Sequence, residues 1–308
     1  MFDQAQRLRE MVGGSQATSL AIVPPPPAPL AKHARTIAVT SGKGGVGKTN
    51  IVTNLAIALG RRGKKVLLVD ADLSLANVDV VLGLQPRFNL SHVISGEKRL
   101  REIVLEGPHS IRIIPAASGI QEMANLRDED IKRLISEFAE FDREFDLILI
   151  DTAAGISESV LSFAVASQEV LLVTTPEPTS YVDAYQMLKN IHFYSPTQPV
   201  HLIVNMAANQ SEGEQTASFM NEMANRFLQH SLNHIGTVVR DPDVPASIRL
   251  QRPFLEESPH GPAARGIQQL STRLLNQTSN REEGGQPEKS LWSKVIQFVR
   301  KGAVAHAG

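Results

Sequence analysis

The sequence predicts an α/β fold, a doubly wound and mostly parallel sheet with helices on both faces. Three observations lead there. From Arg35 onward, the apolar runs TIAVTS, KVLLVD, IRIIPA, DLILID, EVLLVTT, PVHLIVN and HIGTVV alternate with amphipathic stretches, the pattern of strands covered on both sides by crossover helices. A glycine-rich segment joins the first run to a helical one, and KVLLVD and DLILID each end in aspartate at the sheet edge where such folds bind ligands. With 308 residues, 42% hydrophobic and 20% charged, the chain has apolar mass for one large domain with short appendages.

In chain order, residues 1–14 carry Ala5, Leu8, Met11 and Val12 at helical spacing, a short helix with a narrow apolar stripe. Residues 15–34 form a tether, because Pro24 to Pro27 and Pro29 forbid helix and favour extended polyproline geometry. The domain proper spans 35–277. Residues 278–289 turn polar and read as a second linker, and 290–301 form a last helix. In that helix Leu291, Trp292, Val295, Ile296, Phe298 and Val299 fall within an arc of roughly 160° at about 100° per residue. With Lys294, Arg300 and Lys301 besides, it suits a helix lying on an anionic membrane; the same pattern fits a helix docked on its own domain.

Composition narrows the function. Cysteine is absent, which excludes disulfides, thiolate catalysis and cysteine-held zinc or iron–sulfur centres, and with them a nitrogenase-iron-protein-like reductase or cluster carrier. A net charge of -1 gives no global attraction to nucleic acid, so no direct nucleic-acid partner is expected. No apolar run approaches the roughly 20 residues of a spanning helix, and MFDQAQRLRE lacks the apolar core of a signal peptide, so a cytoplasmic protein is expected.

The chemistry begins after TIAVTS, at Gly42-Lys43-Gly44-Gly45-Val46-Gly47-Lys48-Thr49, followed by the helical run NIVTNLAIALG. This is a phosphate-binding loop in its strand-to-helix setting: glycines let backbone N–H groups curl around phosphate oxygens, Lys48 reaches the β- and γ-phosphates, and the Thr49 hydroxyl ligates magnesium. Gly42, Gly44, Gly45, Val46, Gly47, Lys48, Thr49 and Asn50 are the expected nucleotide-binding set. Lys43 is a departure, a second lysine where an ordinary loop of this kind needs only Lys48.

GKGGVGKT resembles the deviant Walker A loop of the MinD/ParA group of P-loop ATPases. In that group the early lysine reaches across a dimer to the partner's nucleotide, so the resemblance implies an ATP-dependent homodimer, ATP and ADP with Mg2+ as cofactors, and catalytic roles for Lys43 and Lys48. The segment DADLSLANVDVVLG resembles the family's first switch, which implies that Asp72 positions the attacking water and Asp70 supports the magnesium shell. Either aspartate alone also reads as a turn or helix cap. Asp151-Thr152-Ala153-Ala154-Gly155 resembles the second switch, with Asp151 near magnesium and Gly155 free to let the loop move. Asn205, ending PVHLIVN, and Asp241, after HIGTVV, match places where the family holds adenine; Asp241 equally reads as an ordinary turn residue.

The two ends narrow the resemblance to the flagellar-number branch, FlhG/FleN. Asp3-Gln4-Ala5-Gln6-Arg7-Leu8-Arg9 resembles its DQAxxLR element, which implies docking of an FlhF-type signal-recognition GTPase through Asp3, Gln4, Ala5, Leu8 and Arg9, with a FleQ-type transcription regulator as a further partner. LANVDVVLGLQPRFNLSHVISGE, IRIIPAASG, DTAAGISESVLSF and EVLLVTTPEPTSYVDAY are similar to the same branch. The implied activity is slow ATP hydrolysis to ADP and phosphate in a dimerising switch that governs flagellar number or placement. The implied location is cytoplasmic, reversibly peripheral at the inner membrane through the last helix, and at a cell pole. A division-site MinD or a ParA-type partition ATPase is the alternative.

Overall fold

The computed structural model describes residues 34–72, 77–115, 128–277 and 291–306. Strands β1 (Arg35–Ser41), β2 (Val66–Ala71), β3 (Leu105–Glu106), β4 (Arg112–Ile114), β5 (Leu147–Ala154), β6 (Glu169–Thr174), β7 (Val200–Ala207) and β8 (Asn233–Val239) form one sheet in the order β3-β4-β2-β5-β1-β6-β7-β8. Among the described residues every pairing is parallel except β3 with β4. All the apolar runs named above are strands. The sequence reading missed β3, whose two residues are too short to carry a strand period.

The helices are α1 (Lys48–Gly60), α2 (Val78–Leu82), α3 (Leu90–Ile94), α4 (Leu100–Ile103), α5 (Asp128–Asp142), α6 (Glu158–Ala166), α7 (Pro178–Tyr194), α8 (Gln210–Leu228), α9 (Asp243–Arg249), α10 (Phe254–Glu257), α11 (Pro262–Asn276) and α12 (Leu291–His306). Side chains alternate across the sheet with period two. Ile37, Val39, Leu68, Leu149 and Leu171 face α1 and α11, whereas Leu67, Val69, Ile148 and Ile150 face the side of α5, α6 and α12. Farther along the sheet Val170, Leu172, Leu202 and Val204 meet α7 and α8. Helix α1 is buried nearly all round, Ile51, Val52, Leu55, Ile57 and Leu59 together with Thr53 and Asn54, so it sits inside the core rather than on it. Each such side chain contributes about 1.5–3 kcal/mol by leaving water. Burial around α1 therefore fixes the start of this helix firmly against the sheet.

At the opposite sheet edge Arg35, through Nε and Nη2, grips both oxygens of Glu169 at 2.6 and 2.7 Å, and His201 Nε2 approaches the same carboxylate at 2.8 Å. This buried network ties the first residues of β1, β6 and β7 together. An unpaired charge there would be costly, so the register of these strands is pinned at one end.

Helix α12 takes the docked position, one of the two its pattern allows. Its apolar residues Leu291, Trp292, Val295, Ile296 and Val299 are buried, and Trp292 stacks on Phe138 of α5 at 3.9 Å and meets Phe163 of α6 edge-on at 6.1 Å. Phe298, at the edge of the stripe, packs instead beside Tyr194 of α7. The face assigned to lipid is thus spent on the chain's own core. The reason is physical: without α12 the aromatic surface of α5 and α6 would stand in water, and burial rewards the docked position as well as a bilayer would. The helix also runs past Lys301, the end expected for it, to His306. The DQAxxLR element, the proline-rich tether and the 278–289 linker lie outside the described residues.

Candidate nucleotide site

The loop between β1 and α1 is shaped by where glycine is required. Gly45 and Gly47 hold left-handed φ values of 79° and 85°, and Gly47 stands just before the first turn of α1. A side chain at Gly47 would also run into the amide of Asn205, and one at Gly42 into the backbone of Asp183 in α7. The loop is closed from the far side by Asn205 Nδ2, which donates to the Val46 carbonyl at 2.8 Å. First-turn N–H groups of α1 and the loop amides then face the same space, a ready anion site.

Lys48 is buried at the start of α1, with Nζ 3.6 Å from Asp151 Oδ1. Strand register explains the acidic side: Asp70 on β2 is paired directly with Asp151 on β5, so two buried carboxyls stand abreast at the C-terminal edge. Burial raises Asp151 above the ordinary carboxylate range, Lys48 and Thr49 pull it back, and Asp72 pushes it up again. Both Asp151 oxygens lack a hydrogen-bond partner among the described residues, with Lys48 Nζ held just beyond bonding distance of Oδ1 at 3.6 Å. Asp70 is pushed up to about 7 by burial and then by Asp151, against the opposing backbone N–H groups of Asp72, Val78 and Asn77. An orphaned buried carboxyl, a second beside it and a threonine hydroxyl at the helix start form a donor set of the hard, oxygen-rich kind that magnesium takes.

The structure separates the two aspartates of the first switch. Asp70 Oδ1 accepts from Asp72 N at 3.1 Å, and Oδ2 accepts from Asn77 N at 3.0 Å and Val78 N at 3.2 Å. Its carboxyl therefore caps the loop leading into α2, the alternative its position also allowed, and any contact with magnesium would be indirect. Asp72 lies one residue beyond the strand, near enough to act on Asp151. Gly155, with φ 90°, donates its N–H to the Ser41 carbonyl at 3.0 Å and so links the second switch to the phosphate loop.

Lys43 does not turn toward Lys48. Its Nζ donates to Glu177 Oε2 at 3.1 Å and Thr179 Oγ1 at 2.9 Å, at the start of α7 and partly in solvent. Sequence reasoning missed this pair, although Glu177 follows the strand end of EVLLVTT by the same logic that identified the other edge residues.

A cleft of about 290 Å³ opens beside the loop, lined by Gly47, Asn50, Asn205, Met206, Val239, Arg240, Asp241 and Pro245 among others. A register shift between Asn205 and Ala207, with Met206 at φ 57°, kinks the end of β7 and aims Asn205 at the loop. Asp241 lines the cleft, but its carboxyl is occupied: Oδ1 accepts from Asp243 N and Oδ2 from Ala263 N, both at 3.0 Å. The Asp241 carboxyl thereby fastens the starts of α9 and α11, the turn role its position also allowed. Met206, Val239 and Pro245, which the sequence reading did not single out, supply the apolar walls a base would stack against.

A family model described as NUBPL iron-transfer P-loop NTPase, of the ParA group, matches residues 32–275. The antiactivator FleN of Pseudomonas aeruginosa is 42% identical over 240 residues, covering 78% of this chain and 86% of that protein. The flagellum site-determining protein YlxH of Helicobacter pylori is 31% identical over 271 residues, 87% of this chain and 91% of its own length. Among solved structures, the septum site-determining protein MinD of Pyrococcus horikoshii, complexed with Mg-ADP, superposes with a TM-score of 0.64 at 24% identity, covering 82% of this chain and all (100%) of that one.

Proposed function

The chain belongs to the ParA/MinD family of P-loop NTPases, and from that premise we propose that it is a magnesium-dependent ATPase whose ATP-bound homodimer is a switch in flagellar regulation. The observation that carries the reading is the division of labour between two lysines: Lys48 is buried beside Asp151, whereas Lys43 is held outward at the start of α7, where a second subunit can meet it. Likeness to FleN and YlxH supports the flagellar output, because both resemble this chain over most of its length. The iron-transfer description of the family model does not extend to this sequence, which has no cysteine to hold a cluster.

Thr49 and Asp151 would hold the magnesium ion, with Asp70 supporting the loop around it, and the ion would supply positive charge against the phosphates. Lys48 and the loop amides position the phosphates, Asp72 orders the attacking water, and Lys43 of a second subunit adds positive charge as the bond breaks. Asn205 and the cleft walls hold the base. The DQAxxLR element at Asp3, Gln4, Ala5, Leu8 and Arg9 offers a docking peptide for an FlhF-type GTPase, and a FleQ-type regulator is the second partner in this reading.

The test compares Lys43→Ala with Lys48→Ala by nucleotide affinity, mass in solution and ATP turnover. Lys43→Ala should keep ATP affinity within about threefold yet remain monomeric and lose at least about tenfold in turnover, the scale of a missing charge in phosphoryl transfer. Lys48→Ala should lose nucleotide. A Lys43→Ala protein that dimerises and turns over normally would refute the two-subunit site.

A further inference from the structure

Aromatic residues are scarce in this chain, yet all its tyrosines, Tyr181, Tyr185 and Tyr194, lie on α7. They pair with Phe219 and Phe227 of α8 and Phe298 of α12 through edge-on contacts of 5.2, 6.5 and 5.1 Å. The core takes up Tyr181, Tyr185 and Phe298 in part, but not the rest. Phe193 is 77% exposed, Phe227 62% and Tyr194 50%, large apolar side chains that project from the ends of α7 and α8 rather than line a groove.

The charges around them have one prevailing sign. Lys189 stands one turn before Phe193, the Arg226 guanidinium lies 5.4 Å from the Phe227 ring centre, and Lys294 shares an edge of α12 with Phe298, four residues on. Neither Lys189 nor Arg226 forms an ion pair among the described residues. Glu222, one turn before Arg226 on α8, is the carboxylate nearest this end of the helix. Projecting Phe and Tyr flanked by lysine and arginine match the chemistry of a bilayer interface, where rings enter the headgroup layer and cations meet anionic lipid.

We propose that the exposed ends of α7 and α8, through Phe193, Tyr194 and Phe227 with Lys189 and Arg226, form a lipid-contact face for an anionic membrane. The face is separate from the apolar stripe of α12, whose Leu291, Trp292, Val295, Ile296 and Val299 are buried. It adjoins α12 through Tyr194 and Phe298, so membrane engaged here lies beside the docked helix.

Trp292 is the only tryptophan, which makes α12 its own reporter. Full-length protein with ADP would be sedimented with phosphatidylcholine vesicles with and without phosphatidylglycerol, beside a Phe193→Ser, Phe227→Ser double variant whose exposed sites leave the fold untouched. Wild type should sediment with the anionic vesicles, less so at high salt, and the double variant should bind at least about fivefold more weakly. Trp292 emission should stay unchanged and unquenched by brominated lipid, because α12 remains docked. Absence of vesicle binding would overturn the proposal and leave the aromatics as a protein-binding face. Equal binding by the variant, or quenching of Trp292, would overturn it as well by moving the contact elsewhere.

Discussion

Asp142 and Asp151 are both buried carboxyls, and what surrounds each decides what it does. Asp151 stands with Lys48, Thr49 and Asp72 at the C-terminal edge of the sheet, and its oxygens have no hydrogen-bond partner among the described residues. Asp142 ends α5 away from the phosphate loop, where burial pushes it up to about 7 and only the Trp292 indole N–H, close but not hydrogen-bonded to Oδ1, draws it down. Since the folded carboxyl keeps its proton to about 7 and an unfolded one releases it near 3.8, the native state binds more protons through that interval. Stability therefore falls as pH rises across it, by on the order of 4 kcal/mol for full ionisation. Asp70, also raised to about 7, acts in the same direction. Asp142→Asn should match wild type below about pH 4, exceed it increasingly up to pH 7 and beyond, and flatten the slope of unfolding free energy across that interval in urea titrations. Two parallel curves would show that Asp142 does not titrate as its burial requires.

At the scale of elements, the period of each segment was legible and the destination of one was not. The apolar runs read as strands because covered strands admit no polar alternation, and α1 read as a helix behind its glycine loop. The α12 stripe was equally plain, but a stripe suited to lipid is equally suited to a protein core, and only the waiting rings of Phe138 and Phe163 distinguish the two. That makes α12 part of the stability of the domain. Trp292→Ala leaves a cavity between α5 and α6 and should cost about 3–5 kcal/mol in chemical unfolding. A loss below about 1 kcal/mol would mean that α12 is only lightly attached.

For the whole molecule, the sheet assembles the site from segments far apart in sequence. The loop itself was legible, since GKGGVGKT between strand and helix has few other uses. Which carboxyls stay available was not legible, because that depends on three-dimensional neighbours: Asp70 is taken up by the amides of the first switch and Asp241 by those of α9 and α11, whereas Asp151 keeps both oxygens open. Asp70 and Asp151 stand abreast without full compensation, and magnesium held there with nucleotide would relieve that repulsion only in the folded state. Binding to the native state alone stabilises by about 2.7 kcal/mol at a hundred times Kd, which for a domain of this size raises Tm by roughly 5 °C or more. Thermal melts should show that rise with Mg-ATP, a smaller one with ATP and EDTA, and none for Lys48→Ala. In Asp151→Asn the difference between magnesium and EDTA should vanish while the rise from ATP itself persists. If that variant kept the full magnesium increment, the ion would have to sit elsewhere, and the open carboxyl of Asp151 would be left without the partner its geometry calls for.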